Sequence, residues 1–275
     1  MPVGGLASSS SIIIAYILTL AKVNNISLSS DELVDMVVKV EHRYLNVKVG
    51  VLDPSCEICC RKNKLLYLDI KNNKRRLIPM NNMQNFKICL IYSGLSRNLT
   101  NTIYNIRVDE CKSAAFTIGS SIGYAPIEFE KSYLRNISYN DFLKNKHNLP
   151  INHYKRAVHF YTELERVKKG IEFWESGNLK DFGNLVFKSG KSSIENYQTG
   201  SEQLKTLHNI LNETDGIYGG RFSGAGFNGY CMAIIDPDKE DQISEEITKK
   251  YLKVYPQYKN DFKIYFCNTC DGVRI

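Results

Sequence analysis

The feature that most constrains this chain is a glycine- and serine-rich turn near its start, which runs directly into an apolar segment. The turn consists of Gly4, Gly5, Leu6, Ala7, Ser8, Ser9, Ser10 and Ser11. Glycines let a backbone turn tightly and approach a ligand closely, and serines are favoured where a helix starts. Exposed amides and the positive end of the helix dipole then favour phosphate. The pattern predicts a phosphate-binding loop; the alternative is a turn that only caps an ordinary helix.

Composition restricts the class of protein. The chain has 275 residues, of which 43% are hydrophobic and 24% charged, as in globular proteins of one large or two ordinary domains. A net charge of +7 suits an anionic ligand such as a nucleotide. We expect no nucleic-acid partner, because no dense run of Lys and Arg with interleaved aromatic residues is present. The apolar run 12–21 is too short to span a bilayer, so we expect a buried helix and no membrane partner.

The eight cysteines are too sparse for a disulfide-stapled secreted domain. We expect reduced thiols in a cytoplasmic protein. The alternative is a zinc site that joins Cys56 and Cys59 to Cys267 and Cys270, since both pairs have the Cys-x-x-Cys spacing.

Apolar spacing predicts mixed helices and strands. Helices are expected over 8–24, where the sequence is apolar nearly all round, and after a capping box formed by Ser29 and Glu32. Further predicted helices cover 107–118, 153–176, 179–189, 201–211 and 243–255. Strands are predicted at 49–52, 65–70, 86–92, 230–236 and 263–267. The class is therefore α+β with antiparallel sheets, divided into lobes of residues 1–100 and 101–275.

Two carboxylates follow the serine turn. Glu41 lies in the last turn of its predicted helix, and Asp53 lies just after a short apolar strand, before Pro54. A carboxylate in the position of Asp53 can act as a base or orient a hydroxyl nucleophile. A second carboxylate nearby can hold Mg²⁺ together with a loop serine. The alternative for Asp53 is an ordinary turn residue before proline.

A second glycine-rich stretch, 219–231, has five glycines within eleven residues and leads into an apolar strand. Its order is Gly-Arg-Phe-Ser-Gly-Ala-Gly-Phe-x-Gly, from Gly220 to Gly229. The glycines indicate a backbone that packs closely against another group.

Together the serine turn, the carboxylate pair and this stretch resemble the three-motif pattern of the GHMP kinases. The resemblance covers essentially the whole chain. It implies a two-lobed α+β fold, with an N-terminal lobe like the second domain of ribosomal protein S5 and a ferredoxin-like C-terminal lobe. The opening turn resembles the family's second motif, and 219–231 resembles the third. Stretches 93–100, 176–183 and 192–197 are similar to the plant-type galacturonokinase branch of the family.

The resemblance also implies roles for individual residues. ATP phosphates would lie against the opening turn, 4–10, and against Gly224 and Ala225. Ser9, with Ser8 as the alternative, and Glu41 would hold Mg²⁺. Asp53 would deprotonate or orient the sugar hydroxyl, and Tyr104 would contact the sugar.

The implied activity is an ATP-dependent sugar 1-kinase acting on galacturonate or galactose. For a uronate, a cation should meet the sugar carboxylate, and Arg97, Arg107 and Arg221 are the candidates. The alternative is a non-catalytic fragment of a kinase, or a relative that senses a sugar or nucleotide.

The chain departs from the family pattern in several places. Ala7, Ser10 and Pro54 stand where the family usually has serine, alanine and glutamine. The family's first motif, which supplies an Arg beside the catalytic Asp, is absent. We therefore expect that a segment is lost or supplied by another chain, that Asp53 has no cationic neighbour, and that the first lobe exposes apolar surface.

Overall fold

The computed structural model describes residues 6–44, 50–81, 83–95, 100–124, 128–227 and 229–274. The helices are α1 (Ser8–Val23), α2 (Ser30–Tyr44), α3 (Leu52–Cys59), α4 (Thr100–Ser121), α5 (Tyr139–Asn145), α6 (Ile151–Glu175), α7 (Leu179–Ser192), α8 (Glu202–Glu213) and α9 (Glu240–Val254). The strands are β1 (Lys64–Asp69), β2 (Lys74–Pro79), β3 (Lys87–Tyr92), β4 (Ile217–Phe222), β5 (Tyr230–Ile235) and β6 (Lys263–Cys267).

The larger sheet has four strands in the order β4-β5-β3-β6, and every neighbouring pair is antiparallel. Helices connect β3 to β4 and β5 to β6, whereas β4 and β5 are joined by the glycine-rich stretch. This is the split β-α-β arrangement of a ferredoxin-like fold, so the expected α+β class is confirmed. β3 precedes residue 100 but pairs with strands that follow it. The division into lobes at residue 100 stays a prediction.

The main core lies between this sheet and helices α8 and α9. Cys89 and Ile91 from β3, Leu211 from α8, and Ile243 from α9 are completely buried there. Helix α7 packs even more closely against β4, because a glycine of the helix lies against a glycine of the strand. A Cβ on Gly219 would stand 2.5 Å from the carbonyl oxygen of Gly183. Gly219, one of the glycines in 219–231, therefore serves strand–helix packing.

Helices α1, α2 and α3 form a smaller group beside the β1–β2 hairpin. The capping box that opens α2 is confirmed: the Ser29 amide donates to Glu32 Oε2 (2.8 Å), and the Glu32 amide donates to Ser29 Oγ (3.3 Å). The expectation that α1 is buried is wrong. Ile12 is 56% exposed, Tyr16 69% and Leu20 61%, and only one side of the helix packs on α2 and α3. Exposed apolar surface in this region is as predicted.

Another correction concerns the chain before Asp53. A strand was predicted over 49–52, but Leu52 begins α3 and residue 49 lies outside the described residues. Asp53 and Pro54 are in the first turn of α3, where proline is tolerated because the early amides have no partner within the helix. Among the described residues, no helix has the length and apolar character needed to cross a membrane.

Candidate active site

The serine turn forms the start of α1. Ala7 precedes the helix with a left-handed backbone (φ 53°, ψ 29°), a conformation that residues other than glycine seldom adopt. The Ala7 carbonyl accepts hydrogen bonds from the Ser10 hydroxyl (2.9 Å) and from the hydroxyl and amide of Ser11 (3.1 and 3.0 Å). Gly4 and Gly5 lie outside the described residues. The turn is therefore fixed by its own hydroxyls, with the amide end of α1 beside it.

Ser9 and Glu41 meet as predicted. The Ser9 hydroxyl donates to Glu41 Oε1 at 2.7 Å, which joins the first turn of α1 to the last turn of α2. Glu41 is 4% exposed, and none of the described residues forms an ion pair with it. A buried carboxyl group needs hydrogen-bond partners, and Ser9 supplies one of them.

Asp53 projects from the first turn of α3. Solvent reaches its side chain, but partial burial of the carboxyl raises its pKa above the ordinary value. No ion pair to Asp53 occurs among the described residues. Removal from water penalises the ionised form, so this carboxylate binds a proton more readily than an exposed one.

Glu57 is the residue that the sequence reasoning missed. It lies one helical turn after Asp53, and its Oε1 accepts a short hydrogen bond from the Ser11 hydroxyl. Its other oxygen, Oε2, is buried and has no hydrogen-bond partner in the described part of the chain. Burial raises the pKa of Glu57, and the charges of Asp53 and Glu41 raise it further, against the effect of hydrogen bonds from Ser10 and Ser11. Glu41 and Glu57 thus both accept hydrogen bonds from serines of the opening turn.

Tyr104 lies on α4. Burial raises the pKa of its phenol, and the charges of Asp53, Cys111 and Glu41 raise it further. Behind Tyr104, Arg156 is fully buried and donates from Nε to Glu110 Oε2 at 2.7 Å. Arg156 also lies over the ring of Tyr197. The middle of α4 is therefore joined to α6 by a buried ion pair.

The three arginines considered for a uronate differ in their surroundings. Arg107 donates to Glu110 Oε2 (3.0 Å) and to the Gln198 carbonyl (3.2 Å). Arg221 donates to Ser189 Oγ at 2.6 Å, beside Glu163. Arg97 lies outside the described residues. Two of the candidates are thus already engaged within the protein.

The second glycine-rich stretch divides into two parts. Gly219 and Gly220 belong to β4, whereas the turn between β4 and β5 contains Gly224 and Ala225. Gly224 has φ +63°, and a hydrogen bond from the Ser223 amide to the Tyr230 carbonyl (2.9 Å) closes the turn. Gly224 is exposed and Ala225 half-buried. Their approach to the phosphates of a nucleotide stays a prediction.

The donors fit magnesium better than zinc. Ser9 and Glu41 offer hydroxyl and carboxylate oxygens, and Mg²⁺ is commonly held by one or two such groups together with substrate phosphates. Within the described residues, which include all eight cysteines, no group of three or more His, Cys, Asp and Glu side chains is placed to hold a metal. The four-cysteine zinc site is therefore not formed.

Comparison with known proteins agrees with this geometry. Residues 1–61 match the family model of the GHMP kinase N-terminal domain, and residues 164–253 match that of the GHMP kinase C-terminal domain. These two matches cover more than half of the chain. The chain belongs to the GHMP kinase family.

Among members of the GHMP family, a galacturonokinase from Arabidopsis thaliana is 36% identical over 98% of this chain and 65% of its own length. A galactokinase from Fusobacterium nucleatum is 28% identical over 98% of this chain and 67% of its length. The crystal structure of Lactococcus lactis galactokinase complexed with galactose superposes with a TM-score of 0.88 at 25% identity, over 99% of this chain and 68% of that one. This chain therefore spans about two thirds of the length of its relatives.

The part of the chain that matches the N-terminal GHMP domain includes the candidate residues Ser9, Glu41, Asp53 and Glu57. The family resemblance predicted roles for the first three. Glu57 could have been found from its spacing of four residues after Asp53, which places both on one face of a helix, but only if α3 had been recognised as a helix.

Proposed function

We propose that this chain is an Mg-ATP-dependent sugar kinase that transfers the γ-phosphoryl group of ATP to the anomeric hydroxyl of galacturonate or galactose. The observation that supports it most is the Ser9–Glu41 hydrogen bond of 2.7 Å at the start of α1. In this proposal the two side chains are oxygen donors for a cation, the helix start takes the phosphate, and Asp53 acts on the acceptor hydroxyl.

The ATP phosphates would bind at the start of α1. Amides of the first helical turn have no partners within the helix and carry the positive end of the dipole. In this proposal, residues 4–10 line the phosphates, and Gly224 and Ala225 close over them from the β4–β5 turn. The hydroxyls of Ser10 and Ser11 remain bonded to Ala7 and keep the turn in shape.

Ser9 and Glu41 would hold Mg²⁺. When bound, the ion neutralises charge on the phosphates, which is a large part of what phosphoryl transfer requires. The buried charge of Glu41 is then compensated, and the Ser9–Glu41 pair already fixes both donors.

Asp53 would orient the acceptor hydroxyl and take its proton as the phosphoryl group is transferred. Its raised pKa makes it a stronger proton acceptor once ionised, but it also narrows the pH range in which it is ionised. Tyr104, whose raised pKa keeps the phenol protonated, would donate a hydrogen bond to the sugar.

Galacturonate is the substrate we favour, because of the similarity to a galacturonokinase. Its carboxylate requires a cation, and Arg97, Arg107 and Arg221 stay the candidates for that contact. Arg107 bonds to Glu110, but its buried Nε has no hydrogen-bond partner in the described part of the chain. We place the enzyme in the cytoplasm, where its eight free thiols would stay reduced.

The test is ADP release from Mg-ATP with galacturonate, galactose or no sugar, measured on the chain and on Asp53→Asn. Asp241→Asn, an exposed change on α9, is the matched control. We expect release with one sugar, unchanged in the control, and about 10²- to 10⁴-fold slower in Asp53→Asn. A folded chain that binds Mg-ATP without releasing ADP contradicts catalysis and supports a non-catalytic fragment or a sensor.

A further inference from the structure

We propose that the tail, which is residues 268–274 after β6, positions α3 so that Asp53 meets the acceptor hydroxyl, with Gly272 and Val273 as positioning residues. The inference rests on the proposed function, in which Asp53 acts on that hydroxyl. The tail continues from a strand of the four-stranded sheet. It therefore makes the rate of transfer depend on residues that follow the sheet and are not candidates for contact with sugar or nucleotide.

Helix α3 depends on contacts from outside itself. It has eight residues, and a helix of about two turns is marginal in water without tertiary packing. The last carbonyl groups of a helix also have no partner within it. Because Asp53 lies in the first turn of α3, the direction of its carboxyl group depends on how the whole helix is held.

The tail supplies donors to the carbonyl groups at the end of α3. The Val273 amide donates to the Glu57 carbonyl at 2.7 Å, and the Gly272 amide donates to the Cys60 carbonyl at 2.8 Å. These two carbonyl groups are thus satisfied by a segment that is distant in sequence.

The pairing continues along the chain that leaves α3. The Lys62 amide donates to Asp271 Oδ1 at 2.8 Å. The Asn63 amide donates to Thr269 Oγ1 at 3.1 Å, and the Thr269 hydroxyl donates to Asn63 Oδ1 at 2.8 Å. The tail therefore runs in the opposite direction to residues 57–63 and is bonded to them along its length.

The approach at Gly272 leaves no room for a side chain. A Cβ there would stand 2.5 Å from the Glu57 carbonyl oxygen and 2.9 Å from the Ile58 carbonyl oxygen, and both are backbone atoms. The next residue, Val273, packs its side chain on the apolar core of α1, α2 and α3. A side chain at position 272 would therefore displace either the tail or the backbone of α3.

Glu57 joins the tail to the serine turn. Its carbonyl accepts from the Val273 amide, and its Oε1 accepts from the Ser11 hydroxyl. Asp53 lies one turn earlier on the same helix. The tail and the start of α1 therefore hold α3 through different atoms of one residue, and loss of the bonds to the tail lets α3 shift relative to the serine turn.

The kinetic test compares Val273→Pro with Val273→Ala. Both remove most of the apolar side chain's contacts with the helices, but only proline lacks the amide that donates to Glu57. We expect kcat for ADP release to fall roughly tenfold to a hundredfold in Val273→Pro, since a displacement of about 1 Å can cost about 10²-fold. KM for Mg-ATP should stay within about twofold, because the phosphates lie against α1 in the proposed function. Val273→Ala should keep kcat within about twofold of the parent chain.

A glycine pair repeats the comparison without proline. Gly272→Ala should lower kcat as Val273→Pro does. Gly170→Ala is the matched control, because a Cβ there stands at an ordinary 3.5 Å from the Phe182 ring. All variants are assayed at a temperature at which circular dichroism shows them folded. If the tail only stabilised the fold, folded Val273→Pro and Val273→Ala would have equal kcat, and that result would overturn the inference.

Amide hydrogen exchange tests the same inference without turnover. Val273→Pro should accelerate exchange in residues 52–60 by about tenfold or more and leave β5 unchanged. Unchanged exchange in α3 would overturn the inference whether or not the chain is active. A parent chain that releases no ADP with either sugar would instead contradict the proposed function, and with it the catalytic role of the tail, while the exchange data still show whether the tail holds α3.

Discussion

The four-stranded sheet and the helices α1, α2 and α3 bury their apolar side chains to different degrees. Among the described residues, the core of the sheet contains fourteen buried apolar residues, whereas that of the three helices contains five. The charged groups show the reverse distribution. Glu41, Asp53 and Glu57 all belong to the three-helix group, and two of them have raised pKa values. The candidate chemistry therefore lies in the less completely packed region, and the sheet supplies most of the stability.

The largest effect is expected where α7 meets β4. Replacing Gly183 by alanine puts a Cβ 2.0 Å from the Tyr218 carbonyl oxygen, which is backbone and cannot turn away. We expect Gly183→Ala to lower the free energy of unfolding by roughly 3 kcal/mol or more. Gly50→Ala is the control, because a Cβ there meets nothing within 4 Å. Urea titration of both variants makes the comparison; equal losses would contradict this view of the sheet.

A leucine from each region gives the next test. Leu211 is fully buried against the sheet, whereas Leu20 on α1 is 61% exposed. Leu211→Ala should cost about 2 to 5 kcal/mol of unfolding free energy, and Leu20→Ala no more than about 0.5 kcal/mol. Thermal and urea unfolding measure both. A cost for Leu20→Ala as large as that for Leu211→Ala would mean that α1 is covered in solution.

Removing the cap of α2 tests whether the three-helix group opens independently of the sheet. Ser29→Ala removes the capping box of α2 and should cost about 1 kcal/mol. Because this helix belongs to the smaller core, we expect amide hydrogen exchange in α2 to rise about fivefold, with little change in β5. Ser201→Ala, which removes the cap of α8, should instead affect the sheet. Equal acceleration of α2 and β5 by Ser29→Ala would show that both regions open together.

The smallest expected effect is the pH dependence at Glu57. A carboxyl whose pKa is raised on folding contributes stability below its unfolded pKa and loses that contribution as pH rises through the folded value. Glu57→Gln should therefore become more stable relative to the parent chain above about pH 4.5, and equal to it in more acidic solution. Glu165→Gln, at an exposed carboxyl whose pKa Lys168 lowers, should show the opposite trend. Unfolding midpoints measured between pH 3 and 7 show whether each variant gains or loses stability relative to the parent chain as pH rises.

Much of this fold could be predicted, because periodic apolar residues report burial on one face of an element. The bounds of α1 and β6 agree with the prediction within a residue, and the Ser9–Glu41 pair was expected from the family pattern. Predictions failed where contacts between residues distant in sequence determine the local structure. Position 219 in the strand requires glycine because Gly183 approaches it from α7. The sequence alone does not indicate that these two glycines are in contact.

The failure to predict a helix at Asp53 has a similar cause. Proline after an aspartate favours a turn but is also tolerated in the first turn of a helix. Eight residues are too few to show a clear helical period of apolar residues. Since α3 was not predicted, the position of Glu57 beside the serine turn could not be inferred. The exposure of Ile12, Tyr16 and Leu20 also differs from what an all-round apolar helix predicts, because burial depends on the elements that surround it.

The candidate chemistry and the larger buried core belong to different regions of the molecule. Asp53→Asn separates the two when turnover and urea unfolding are measured on the same sample at pH 7 and pH 3. The raised pKa of Asp53 means that its charge opposes folding at neutral pH. We predict that ADP release is lost, that the unfolding midpoint at pH 7 is equal to or above that of the parent chain, and that the two midpoints coincide at pH 3. Loss of turnover together with a lower midpoint at pH 7 would contradict the account, because Asp53 would then support the fold.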